Sequence, residues 1–338
     1  MTIIIIIFSI IIIMNWCEFT RNNANKFNNS IIDDNCLLYK NIQKDKEKIK
    51  KFMIKNKNLK IKVNKIEHFD DEIDNLMDSP WVYKKGINKN MKFLDTSYEI
   101  EWSNGIIKIR CNNKEFTNII KRIKIMILLL EYLRSLVNDY PKLTIYLVLT
   151  DLKKIFPENG IMTPENANTG YVNFRTNIIF IWRLEEFEKV LIHESIHFFD
   201  LDGLKRDHTD RIDIKGEHRY YEGFTDFWAI YYFIIYISII SKVNIKQILE
   251  LEFNFVKNQA LTLNSLLGLN SWKIKPNKVI KQLTAGFSYY IIKYLLFLHS
   301  LNNNITNDIS TLDTVLSKGI IQEEYIDVNS ARMTLLSL

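Results

Sequence analysis

The chain has 338 residues, 47% of them hydrophobic and 25% charged, which describes a globular protein with a substantial core in one large domain or two lobes. A net charge of +6 is modest for this length, and only three cysteines (Cys17, Cys36 and Cys111) exclude a disulfide framework and a cysteine-rich zinc ribbon. Asn, Lys and Ile are abundant throughout, so no lysine run argues by itself for a nucleic-acid partner.

Residues 1–30 are read as a hydrophobic N-terminal segment and linker. Thr2 to Met14 is almost unbroken Ile, Phe and Met, a length that suits a signal-peptide core better than a full membrane span. No Lys or Arg precedes it and no small-x-small cleavage site follows. A cleaved signal, a short signal-anchor and a low-complexity extension all fit. The first two are favoured, and with them a secreted or membrane-anchored protein; without targeting the protein is cytoplasmic. Glu18 to Ser30 is Asn-rich and polar, a linker composition.

Residues 31–200 read as an α+β lobe. Lys46, Lys48, Lys50, Lys51 and Lys55 fit the solvated face of a helix, because Glu67, Asp70, Asp71 and Glu72 follow and no aromatic ladder interleaves; no nucleic-acid partner is expected. Ser103-Asn104-Gly105 is a hairpin signal between two strand-like runs, Tyr98 to Trp102 and Ile106 to Arg110. Phe116 to Val137 carries helical apolar periodicity through Ile119, Ile123, Ile127, Leu130 and Leu133. Leu143 to Leu149 alternates like a half-buried strand, Pro157 and Asn159-Gly160 break the chain, and Tyr171 to Trp182 is strand material.

The next stretch contains His193-Glu194-Ser195-Ile196-His197 in apolar flanks, with Glu185, Glu186 and Glu188 placed for a first helical turn. With six histidines in the chain, such a pattern arises by chance on the order of once in a hundred sequences of this composition. On a helix, His193 and His197 are one turn apart on one face and can hold one Zn²⁺, while Glu194 can reach a water on the metal.

Residues 201–338 read as a helical lobe. Asp200 to His218 is a polar loop whose acids follow no metal-binding spacing. In Tyr221-Glu222-Gly223-Phe224-Thr225-Asp226, Glu222 and Asp226 share a helical face; Glu222 completes a site of two His and one Glu, and Asp226 accepts from the free ring nitrogen of His193. Phe227 to Ile240 carries no charge and is read as a buried core helix. Ile245 to Leu267 and Val279 to Leu298 are further helices, and the tail from Asn302 has no readable feature.

His193-Glu194-x-x-His197 followed by Glu222-x-x-x-Asp226 resembles the gluzincin metallopeptidases, over about Thr169 to Leu298. The resemblance implies a bilobed zincin-like fold: a mixed sheet on the motif helix and a mostly helical C-terminal lobe supplying Glu222. It implies Zn²⁺ held by His193, His197 and Glu222, and peptide or protein as substrate, with Glu194 as general base. It also implies an oxyanion donor about as far along as Tyr289, with Tyr290 the alternative, and a substrate-binding sheet edge at Asn168 to Val172. The usual gluzincin spacing falls on Glu217, but only Glu222 has the following Gly and the Asp four residues on. The metzincin positions are occupied by Asp200 and Gly203. A catalytically inactive zincin-fold binding protein and a membrane-associated structural protein are the other classes that the sequence leaves open.

Overall fold

The computed structural model describes residues 18–27, 32–138, 140–203, 214–216, 219–268, 280–306, 308–318 and 328–336. The Ile tract, Cys17, Glu217 and the acids Asp207, Asp210 and Asp213 lie outside these. The class is α+β, built on a six-stranded mixed sheet of order β1-β2-β3-β4-β6-β5.

The hairpin expected at Ser103-Asn104 is the sheet's first half. Strands β2 (Thr96–Trp102) and β3 (Gly105–Cys111) pair antiparallel, with Trp102 opposite Gly105, and β1 (Lys62–Ile66) forms the outer edge beside β2. Helix α5 (Asn113–Arg134) crosses from β3 to β4 (Leu143–Thr150), which is parallel to β3. Asn112 caps α5, its side-chain oxygen accepting from Lys114 N at 3.0 Å.

Strand β4 is not half-buried as its alternation suggests. Seven of its eight residues are buried, because it lies in the middle of the sheet with both faces covered. Leu143, Ile145, Leu147 and Leu149 face the main core, and Tyr146 and Val148 face a smaller cluster with Phe69, Ile73, Met77 and Trp182. Strands β5 (Gly170–Asn173) and β6 (Ile178–Arg183) form a second antiparallel hairpin that leaves β5 as the other edge.

Helix α7 (Phe187–Phe198) follows β6 and carries the motif; all twelve of its residues are buried. Helix α8 (Tyr221–Ser241) is apolar and long enough to cross a membrane by composition, and most of it is buried inside the fold. It packs with α7 and with α9 (Ile245–Leu266).

Three other sequence expectations are corrected. Glu18 to Phe27 is no linker: α1 (Glu18–Ala24) and a 3₁₀ turn (Asn25–Phe27) fold onto the core, where Thr20, Ala24 and Phe27 are buried and the Phe27 ring meets Phe255 edge-on at 5.5 Å. Val279 to Leu298 is not one helix. Its start is strand β8 (Ile280–Gln282), parallel to β7 (Ile214–Gly216), and the helix opens at Gly286 with a π-turn over Ser288–Ile292 before α10 (Lys293–Ser300). Gln282 is the reason, because its side chain accepts from Met162 N at 2.9 Å and Leu283 N donates to Met162 O at 3.0 Å. The tail has structure as well, in α11 (Ile309–Lys318) and in residues 328–336, mostly buried within the same apolar cluster that begins near Ala24.

Candidate metal centre

Helix α7 ends in a way that builds the site. Asp200 takes a left-handed conformation at φ +52°, Leu201 N returns to Ile196 O at 3.0 Å and Asp200 N to His197 O at 3.1 Å. This is the Schellman closure of a helix. It reverses the chain so that Asp202 reaches back to the helix it has just left. Asp202 Oδ2 lies 2.6 Å from His197 Nδ1 and accepts from Thr225 Oγ1 of α8 at 3.1 Å. Asp226 Oδ1, also on α8, lies 3.0 Å from His193 Nδ1.

Both Nδ1 atoms therefore face carboxylates, and both Nε2 atoms face Glu222. Glu222 Oε2 lies 3.1 Å from His193 Nε2 and 3.2 Å from His197 Nε2. One donor atom from each of His193, His197 and Glu222 falls within 4.8 Å of the others. Ligands about 2.0–2.1 Å from a tetrahedral zinc stand roughly 3.3–3.4 Å apart, so the two printed separations are close to those the ion needs. The donor set, two imidazoles and one carboxylate, also suits zinc. The residues fit that metal.

Two close approaches bring the pieces together. A Cβ at Gly223 would stand 2.6 Å from Ile292 Cγ2, so glycine lets α8 press against the π-turn. One residue before Gly223 is Glu222, and the π-turn carries Tyr289. A Cβ at Gly170 would stand 3.0 Å from Val190 Cγ1, which sets β5 directly on α7.

His193, Glu194, His197, Glu222 and Tyr289 line one cavity of about 170 Å³, with Trp81, Tyr171, Phe174, Arg219 and Tyr221 among its other walls. Tyr289 lies with its ring 6.0 Å from His193. Tyr290 points away, its hydroxyl donating to Ala331 O at 2.5 Å, and so takes no part in the cavity. Edge strand β5 contributes Gly170, Tyr171 and Val172 to the same wall.

Burial pushes the Glu194 carboxyl up to about 7 and the His193 ring down to about 3. Burial works in the same downward direction on His197, but the charges of Glu222 and Asp202 outweigh it and carry that ring up to about 10. Burial alone would raise Glu222; its two imidazole neighbours hold it well below the usual carboxylate range instead. Burial, with the charges of Glu222 and Glu194 adding to it, raises Tyr289 well above its ordinary value, so its hydroxyl stays a donor.

Sequence reasoning missed several residues here. Asp202 was one acid among several in a polar loop, and no periodicity connects it to His197. Arg219 stacks on Trp81 with its guanidinium carbon 4.0 Å from the ring centroid, and lies 3.7 Å from Glu222 Oε1. Lys189 and Lys293, both fully buried, pair with Asp226 from behind. Lys189 alone had a signal, since it lies four residues before His193 on the same helical face. The chain matches no protein-family model, no curated protein and no solved structure.

Proposed function

We propose that this protein is a zinc-dependent peptidase of the gluzincin type, its sheet and motif helix forming one lobe and its later helices the other. The observation that carries the reading is the convergence of His193 Nε2, His197 Nε2 and Glu222 Oε2 on one point of the cavity that also receives Glu194. Bound there, zinc supplies a Lewis acid that polarises a scissile carbonyl and makes water more acidic.

The chain's own groups supply the rest. Glu194 accepts a proton from the attacking water and passes it to the leaving amine; a carboxyl whose pKa stands near neutrality serves both halves of that transfer. Tyr289 donates to the developing oxyanion, a role typically worth roughly 2.7–4 kcal/mol. Asp226 and Asp202 hold the two imidazoles by Nδ1, so that Nε2 presents its lone pair. Edge strand β5 offers unpaired backbone along the cavity wall, where an extended peptide adds as a strand. Secretion or membrane anchoring through the N-terminal Ile tract remains part of this proposal.

The test is metal analysis of the purified protein with Glu194→Gln and Glu222→Ala, beside a peptide-library assay with a chelator control. Glu194→Gln keeps zinc and loses turnover; Glu222→Ala loses zinc. Full turnover in Glu194→Gln rejects the base assignment, and zinc retained by Glu222→Ala rejects the ligand set.

A further inference from the structure

Behind His193 lies a second layer of charge that touches no part of the cavity. Lys189, one turn before His193 on α7, places its Nζ on Asp226 Oδ1, the oxygen that also faces His193 Nδ1. Lys293, at the start of α10, holds Asp226 Oδ2 at 2.9 Å. None of the side chains of Lys189, Asp226 and Lys293 has any solvent exposure. A buried ammonium has three donors to satisfy, and one carboxylate cannot satisfy two of them.

The end of the chain supplies what is missing. Met333 Sδ lies 3.4 Å from Lys189 Nζ, and Met333 O accepts from Lys293 Nζ at 3.2 Å. Met333 N donates to Glu186 Oε2 at 2.6 Å, beside the buried Lys154–Glu186 pair. The residues around Met333 are gripped by side chains from the helices. Gln259 Nε2 donates to Ser330 O at 2.9 Å and to Arg332 O, while Glu252 accepts from Leu336 N at 3.0 Å and from the Thr334 hydroxyl. Thr20 of α1 donates to Leu335 O at 2.7 Å.

We propose that Lys189, Lys293 and Met333 are positioning residues of the metal centre: the C-terminal segment seats two ammonium groups, and these fix both oxygens of Asp226. A carboxylate hydrogen-bonded at Oδ1 and ion-paired at Oδ2 is held against turning, so the ring it faces keeps its orientation and His193 Nε2 stays aimed at the point shared with Glu222. The segment is thereby a working part of a site more than a hundred residues earlier in the chain. This rests on the metal reading above, and the experiment separates the two.

The full-length protein is compared with Lys293→Met and Met333→Leu. Zinc affinity is read by competition with a chromophoric chelator, the ligand field by the absorption of the Co²⁺ form, and the metal-free melting midpoint is recorded in parallel. Lys293→Met is expected to bind zinc about tenfold more weakly or worse, with an altered cobalt spectrum. Met333→Leu, which keeps the backbone carbonyl on Lys293 and nearly conserves volume, shows a smaller change in the same direction. A purely structural role lowers the melting midpoint and leaves the cobalt spectrum alone, and that result overturns the proposal. So does unchanged or tighter zinc binding in both variants, tighter binding meaning that the lysines act only as opposing charge. If Lys293→Met does not fold, Met333→Leu decides by the same criteria. A wild-type protein that takes up no zinc refutes the metal reading instead.

Discussion

Two carboxylates do the same work on the two imidazoles, but their other partners differ, and that difference gives a sharp comparison. Asp226 holds His193 Nδ1 at 3.0 Å, and Asp202 holds His197 Nδ1 at 2.6 Å. Exchanging either carboxylate for Asn removes the negative charge behind one ring, and such partners are typically worth 10–100-fold in metal affinity, or about 1.4–2.8 kcal/mol. The two variants are therefore expected to weaken zinc binding alike. Folding stability is expected to separate them. Asp202 has Thr225 as its other partner and shares the charge of one imidazolium with Glu222, so Asp202→Asn leaves that ring one carboxylate and costs less. Asp226→Asn leaves two fully buried lysine head groups facing a neutral amide. Removing one partner of a buried ion pair costs roughly 3–5 kcal/mol, a large share of the 5–15 kcal/mol that holds a typical domain together. Chemical denaturation of the metal-free proteins measures this directly: the urea midpoint of Asp202→Asn falls modestly and that of Asp226→Asn falls steeply. Equal midpoints would refute the claim that Asp226 carries the charge balance of the core behind the site.

Gly223→Ala sets a helix-propensity gain of about 1 kcal/mol against overpacking of roughly 1–3 kcal/mol, because the new methyl would meet Ile292 Cγ2 at 2.6 Å and Cβ at 2.9 Å. Net destabilisation is expected, with zinc retained and turnover reduced as the π-turn and Tyr289 move; a raised melting midpoint contradicts it. Metal uptake is also expected to release a proton. His197, carried up to about 10, is protonated at neutral pH and must lose that proton before Nε2 can bind a cation. Zinc affinity then rises about tenfold per pH unit from pH 7 until the ring's own pKa is approached. Calorimetry in buffers of different ionisation enthalpy reads the proton count, and a count of zero removes the proton from His197.

What was legible in the sequence was whatever depends on neighbours in the chain. The pairing of His193 with His197, and of Glu222 with Asp226, follows from helical spacing and needs no knowledge of the fold. The hairpin at Ser103-Asn104 follows from turn chemistry, and α9 from its apolar period. What was not legible is decided across distance. Glu18 to Phe27 has a linker's composition, and what seats it on the core is Thr20 meeting Leu335 near the end of the chain and Phe27 meeting Phe255 of α9. The break before Gly286 depends on Gln282 meeting Met162, 120 positions away. Asp202 becomes a partner of His197 only through a left-handed residue at Asp200, a conformation that Gly marks far more often than Asp.

The charges on the motif helix show most clearly why a periodicity reading stops short. An amphipathic helix turns Glu186, Glu188 and Lys189 to water, but here each is buried and each meets a different part of the fold. Glu186 pairs with Lys154, Glu188 with Arg122 of α5 at 2.6 Å, and Lys189 with Asp226 of α8. Buried ion pairs are poor sources of stability, and apolar residues of the same volume often serve as well or better. Apolar packing, however, is without direction, and a helix held only by it retains some freedom to slide and rotate. Three ion pairs reaching out to two helices and the loop after β4 restrict that freedom. Two imidazoles and a carboxylate on neighbouring helices converge only if those helices keep their register to a few tenths of an ångström. The buried charges of α7 are best understood as the means by which this chain holds that register, with stability given up in return for geometry.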